Sequence, residues 1–189
     1  MQIELLSTEI EEVKLLQMKV YGDERGFFAE TFHARDFALL GLPSQFVQDN
    51  HSRSVKGVLR GFHYQDMTAP QSKLVRCTVG QILDVAVDLR LGSPTFGRCV
   101  SARLSAENMQ QLLVPAGFGH AFLTLTDVAE VQYKCTEFYV RQAEGNIHWN
   151  DPDIGFSWPI EQPILSDRDR LAPFLRDYSS HPAFRYPMP

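Results

Sequence analysis

The run Val58-Leu59-Arg60-Gly61-Phe62-His63-Tyr64-Gln65 sets a guanidinium and an imidazole three residues apart in a segment of β character. A guanidinium holds phosphate or carboxylate oxygens through paired N–H groups, and an imidazole moves protons near neutral pH. Further along the chain stand Lys73, His120, Tyr133, Tyr139, Asp167 and Asp169. A neutral histidine serves as a general base, a tyrosine can return a proton to carbon from another direction, and a lysine stabilises charge developing on oxygen. That mixture points to proton transfer. Nucleophilic catalysis is less well supported, because no serine or cysteine sits in a recognisable nucleophile motif. Each residue taken singly also fits a structural role: His63 as a core histidine beside a surface arginine, Tyr133 and Tyr139 as strand tyrosines, Lys73 as a solvated strand residue.

Strand geometry complicates the pairing of Arg60 with His63. Side chains of an extended segment alternate between faces, so Leu59, Gly61 and His63 share one face while Arg60, Phe62 and Tyr64 share the other. Either Gly61 introduces a kink or bulge that brings both to one pocket, or the two residues have different jobs.

The elements that must position these residues are short. From about residue 12 to 150 the chain is a series of β-type runs separated by Gly, Pro, Asn, Asp and Ser, the rhythm of an all-β sandwich or barrel. Within Ile82–Leu89, Leu83, Val85, Val87 and Leu89 fall on one face and Asp84 and Asp88 on the other, which predicts one dry and one polar face. Helical signal is sparse: Ala34–Leu40, ending at Gly41, a turn near Ser105–Met109, and a short piece near 166–176 behind a Ser166 cap. Three prolines in the tail predict a loosely held segment over 178–189.

With 189 residues and 44% hydrophobic content, one domain over 1–189 is expected. The absence of a long apolar run and of a signal-peptide pattern predicts a soluble cytoplasmic protein that does not engage a membrane. Cys77, Cys99 and Cys135 are widely spaced and form no CxxC pair, so neither a disulfide framework nor a zinc site is suggested. A net charge of −5 argues against general nucleic-acid binding. Any anionic ligand must be met by a local cluster.

The segment Pro115-Ala116-Gly117-Phe118-Gly119-His120 has the P-x-G-x-x-H form typical of double-stranded β-helix (cupin) turns. In metal-binding cupins that histidine is a ligand and others come from an earlier H-x-H. Here His63-Tyr64-Gln65 lacks the second histidine, and a catalytic metal needs about three protein ligands. No metal is expected.

Several blocks in order resemble one family, the dTDP-4-dehydrorhamnose 3,5-epimerases, from about residue 5 to 176. They are Asp23-Glu24-Arg25-Gly26-Phe27-Phe28-Ala29-Glu30, Phe46-Val47-Gln48-Asp49-Asn50-His51, Gly57-Val58-Leu59-Arg60-Gly61-Phe62-His63, Lys73-Leu74-Val75, Asp84-Val85-Ala86-Val87-Asp88-Leu89-Arg90, Gly117-Phe118-Gly119-His120, Tyr133-Lys134-Cys135-Thr136 and Ile147-His148-Trp149-Asn150-Asp151-Pro152. Departures are small: Ala121 stands where glycine commonly follows the motif histidine, and Arg168 where lysine commonly precedes the aspartate.

The resemblance implies an all-β, cupin-like jelly-roll homodimer that needs no cofactor. It would epimerise dTDP-4-dehydro-6-deoxy-D-glucose at sugar positions 3 and 5. By the same resemblance His63 is the base, Asp169 its orienting partner, Tyr133 the acid, and Lys73 the cation near the keto oxygen. Tyr139 resembles the residue that stacks on thymine. Arg60 and Arg25 suit the diphosphate, and in the family the Arg25 segment can reach a site across the dimer interface. Glu30, Gln48, Asn50, His120, Glu144 and Arg168 match positions that contact nucleotide or sugar, while Glu30 and Glu144 also fit solvated surface carboxylates. Two other readings stand beside this one: a relative acting at a single ring position, and a noncatalytic nucleotide-sugar-binding cupin, which would have lost the base or the acid.

Overall fold

The computed structural model describes residues 2–188. In chain order the strands are β1 (Ile3–Leu6), β2 (Lys14–Met18), β3 (Val20–Asp23), β4 (Gly26–Ala29), β5 (Gln48–Val55), β6 (Leu59–Gln65), β7 (Lys73–Val79), β8 (Gln81–Asp88), β9 (Arg90–Leu91), β10 (Cys99–Ser105), β11 (Gln110–Val114), β12 (Phe118–Thr124), β13 (Val128–Cys135), β14 (Glu144–Asn146) and β15 (Phe184–Arg185). Three short α-helices, α1 (Ala34–Leu39), α2 (Asp167–Arg170) and α3 (Leu175–Ser180), and a 3-10 turn at Arg141–Ala143 interrupt them. A six-stranded antiparallel sheet in the order β1-β2-β11-β7-β13-β5 packs on a five-stranded antiparallel sheet in the order β10-β8-β12-β6-β14. This is the cupin-like jelly roll.

Alternation along the strands builds the layers. Val75, Leu112 and Val131 of one sheet meet Ile82, Val100, Phe118 and Phe122 of the other in the space between them. The outer face of the six-stranded sheet is also capped: Leu16, Met18, Leu74 and Leu113 pack under Phe37 of α1 and Leu42. The sequence places that helix well. His33 caps it by accepting from the Asp36 amide, and the chain leaves it at Gly41, where φ is +71°.

Both faces of β8 are buried, contrary to the one dry and one polar face its alternation predicts. Val85, Val87 and Leu89 are covered by Ile147, Leu175, Tyr178 and Phe184. Asp84 and Asp88 point between the sheets and are wholly inaccessible. Asp88 is satisfied by two bonds from the Arg90 guanidinium, 2.9 and 2.7 Å, and by the hydroxyls of Ser93 and Thr95, each 2.6 Å away.

The tail differs from expectation in the same region. Three prolines predict a loosely held 178–189, yet through residue 188 the segment is docked. β15 runs parallel to β9, and the Tyr178 hydroxyl donates to the Leu89 carbonyl (2.7 Å) and accepts from the Phe184 amide (3.1 Å). Phe184 is 1% exposed. Covering the apolar outer face of β8 outweighs the low propensity of the segment, since burying one such ring is worth about 2–3 kcal/mol.

Candidate active site

The register between β6 and β12 resolves the geometry at Gly61. Arg60 lies opposite Phe122 and His63 opposite His120, so three residues of β6 span two of β12. Phe122 and His120 share the inner face of β12, and the extra residue therefore puts Arg60 and His63 on that face together. Gly61 has φ +120°, and a Cβ there would lie 2.4 Å from the His120 carbonyl oxygen and 2.6 Å from Ala121 Cα. Only glycine fits this close approach.

His63 lines a cavity of about 260 Å³ with Lys73, Tyr133, Gln48, Asn50, Tyr139 and Glu144. The ladders β13–β5 and β13–β7 deliver four of these. Tyr133 stands opposite Asn50 and Val75, and Cys135 opposite Gln48 and Lys73, so their inward faces are in phase. His63 comes from the other sheet. The cavity thus has an imidazole on one wall and a phenol and an amine on the opposite wall.

Asp169 reaches His63 from α2, 106 residues away in sequence, with Oδ1 2.5 Å from Nε2. Ser166 caps α2 by accepting from the Asp169 amide (3.1 Å), and its hydroxyl donates to Asp169 Oδ2 (2.8 Å). Both carboxyl oxygens are engaged, which fixes the imidazole with Nδ1 left for a ligand. Burial pushes the His63 pKa down from 6.5, although Asp169 pulls the other way, so the ring is neutral at pH 7. Burial opposes ionisation of Asp169, but the His63 and Ser166 hydrogen bonds and Arg168 outweigh it and hold its pKa below the usual carboxylate value. Burial also lowers the pKa of Lys73, against the attraction of Cys135, Asp84 and Glu144, and raises that of Tyr133. Tyr133 is therefore a protonated phenol at neutral pH.

The mouth is a network. The Tyr139 amide donates to Gln48 Oε1 (2.9 Å) and its hydroxyl to Glu144 Oε2 (2.9 Å), while Arg168 forms an ion pair with the other Glu144 oxygen. The Tyr139 ring is half exposed, a flat surface at the rim. Three further lining residues, Tyr64, Gln65 and Gln71, escaped sequence reasoning. Gln65 anchors the rim, donating to the carbonyls of Ala69 and Phe138 (3.0 Å each) and accepting from the Val140 amide (2.6 Å). Its place at the end of the Arg60–His63 strand was the available signal.

The remaining expected residues lie elsewhere. Arg60 is exposed beside the cavity, bonded through Nε to Ser54 Oγ (3.2 Å), and within electrostatic reach of Tyr133. His120 is buried, with Nε2 2.7 Å from Asp84 Oδ1. Its Cα faces that of His63 across the strand pair. Arg25 sits at the tip of the β3–β4 hairpin, exposed and paired with Asp23, and Glu30 groups with His33 and Asp36 at the start of α1. Neither lines the cavity of its own chain. A second hollow of about 290 Å³, on the outer side of the six-stranded sheet, is bordered by Asp49, His51, Arg76 and Lys134. It holds no buried histidine–carboxylate pair.

A jelly roll in which the half-buried His63 pairs with the buried Asp169 and faces a tyrosine and a lysine defines a cupin-type enzyme whose cavity holds groups able to move protons. Residues 7–177 match the family model described as dTDP-4-dehydrorhamnose 3,5-epimerase. The chain belongs to that family. It is 52% identical to the dTDP-4-dehydrorhamnose 3,5-epimerase of Shigella flexneri over 166 residues, 87% of this chain and 92% of that one. Among solved structures, it is similar to the dTDP-6-deoxy-D-glucose-3,5-epimerase of Legionella pneumophila in complex with dTDP-4-keto-L-rhamnose. The TM-score is 0.93 at 47% identity, covering 98% of this chain and 100% of that one. It is also similar to ChmJ, a 3'-monoepimerase from Streptomyces bikiniensis in complex with dTDP-quinovose. That match has a TM-score of 0.88 at 37% identity, covering 94% and 90% of the two chains.

Proposed function

We propose that the protein epimerises dTDP-4-dehydro-6-deoxy-D-glucose at positions 3 and 5, giving dTDP-4-dehydro-L-rhamnose. The observation that carries this is the placement of His63 and Tyr133 on opposite sheets around one cavity. The 4-keto group acidifies the C–H bonds on either side. Nδ1 of His63 takes the proton, the electron pair moves onto the keto oxygen, and the resulting enolate is flat. Tyr133 then returns a proton to carbon from the other face, which inverts the centre, and solvent restores both groups. Asp169 holds the ring and stabilises the imidazolium, as in other His–Asp pairs. Lys73 offsets the charge on the enolate oxygen. The chemistry calls on no cofactor and no metal, because the substrate's own ketone is the electron sink.

Arg60 and Arg168 supply cations for the diphosphate, Tyr139 a stacking surface for thymine, and Gln48, Asn50, Glu144 and His120 polar contacts to sugar and nucleotide. Arg25 and Glu30 are assigned to the cavity of a second subunit in a homodimer. Two observations support that assignment: both lie away from their own cavity, and the adjoining Phe27 and Phe28 are 67% and 68% exposed. A cytoplasmic location is in keeping with three free cysteines. No helix among the described residues is long and apolar enough to cross a membrane.

The likeness to a 3'-monoepimerase favours one second reading, action at a single ring position. Incubating protein and dTDP-4-dehydro-6-deoxyglucose in deuterated water and locating the label by NMR separates the readings. Deuterium at positions 3 and 5 is expected. Label at one position selects the narrower enzyme, and no label with folded protein overturns the epimerase reading. EDTA is expected to leave the rate unchanged.

A further inference from the structure

Asp84 carries a chemical signature that the base, the acid and the rim do not use. It lies in the middle of β8, wholly inaccessible, between the apolar neighbours Ile82 and Ala86 on the same face. Taking a carboxyl group out of water costs several kcal/mol unless partners compensate. Asp88, on the same face of the same strand, shows what a structural carboxylate looks like here, with both oxygens occupied by Arg90, Ser93 and Thr95. Asp84 has one partner. Oδ1 lies 2.7 Å from Nε2 of His120, and Oδ2 is buried with no hydrogen bond among the described residues. On packing grounds alone an aliphatic residue would serve this position better.

The location explains the exception. The bond to Asp84 is the one hydrogen bond of the His120 ring among the described residues, so Nδ1 is left without a protein partner. His120 stands directly across the β6–β12 pair from His63, and Asp84 lies within electrostatic reach of Lys73 on the facing sheet. We propose that Asp84 is a positioning residue that acts through His120. It anchors Nε2 from inside the barrel and thereby presents Nδ1 to the cavity beside His63 and Lys73, where the keto oxygen of the substrate gains charge. The active centre then holds two histidine–carboxyl pairs of different purpose, one for the proton on carbon and one for the oxygen. This rests on the epimerase reading above.

The test compares Asp84→Asn, His120→Asn and the double variant, with kcat and KM measured on dTDP-4-dehydro-6-deoxyglucose and affinity for dTDP measured by calorimetry. Asn keeps the size of the side chain but can turn an N–H toward Nε2 and so release the ring. Asp84→Asn is expected to lower kcat by about 30-fold, with KM and dTDP affinity within about threefold of the parent. The double variant is expected to match His120→Asn within about twofold, because a residue acting through another adds nothing once the other is gone. Retention of kcat within about twofold by Asp84→Asn, or losses that multiply in the double variant, would overturn the proposal. A measurement on the unaltered protein stands independent of folding defects and of turnover: the ¹⁵N spectrum of His120 should show a proton on Nε2. A bare Nε2 with the proton on Nδ1 would also overturn it, whereas an unaltered protein that binds dTDP but turns nothing over would instead indict the substrate assignment.

Discussion

Arg60 and His63 stand on the same face of β6 because one extra residue, Gly61, is accommodated between their partners Phe122 and His120 on β12. The slip joins an exposed guanidinium at the edge of the cavity to the half-buried imidazole in its wall. It depends on a backbone conformation with φ +120° and on contact with the β12 main chain.

Gly61→Ala should therefore be severe. The new methyl would press on backbone atoms of His120 and Ala121 at 2.4 and 2.6 Å, and neither can rotate away. A loss of about 3 kcal/mol in urea unfolding is expected, with kcat reduced in the fraction that folds. A variant as stable as the parent would show that the slip is not held by this contact.

Asp169→Asn tests the first histidine pair. The amide preserves shape, but it can place a donor against Nε2 at the 2.5 Å contact and so favour the wrong tautomer. A fall in kcat of about 10³ to 10⁴ is expected while KM changes little, read from solvent deuterium incorporation. Label entering at the parental rate would remove Asp169 from the mechanism.

The pH profile of kcat/KM follows from the signs of the shifts. His63 must be neutral to act, and burial places its pKa below 6.5, so activity should rise with pH through a midpoint under that value. Lys73 must be charged, and burial lowers its pKa from 10.5, whereas Tyr133 must keep its proton and burial raises its pKa from 10.0. Lys73 should accordingly contribute to the alkaline limb, and Lys73→Arg should move that limb upward. An acid limb centred above 6.5 would mean that Asp169 dominates burial at His63.

Phe184→Ala probes the docked tail. The ring is 1% exposed and packs edge-on against Tyr64, a residue of the cavity wall, at 5.6 Å between centroids. Truncation should cost about 3–4 kcal/mol in chemical denaturation. A cost near zero would restore the loosely held tail that the prolines suggest.

Much of the architecture is readable from local pattern. Alternating apolar residues and turn chemistry mark most of the strands, and Ser166 announces α2 because capping is a contact between near neighbours. The proton-transfer chemistry is also visible, since His63, Tyr133 and Lys73 are reactive types wherever they lie. The exposed β3 and the edge strand β1 carry no such pattern. Alternation along β8 predicts a polar face for Asp84, and periodicity says that two faces differ without saying what covers each.

The sequence by itself determined which side chains are available and which strands can exist, because these depend on residue type and on neighbours a few positions away. Only the tertiary structure decided that Asp169 meets His63 across 106 residues, that Gly61 turns Arg60 toward the same face, and that Asp84 is locked inside the barrel behind His120. Those relationships come from sheet register and from the closing of one sheet over another, and both are settled by long-range packing.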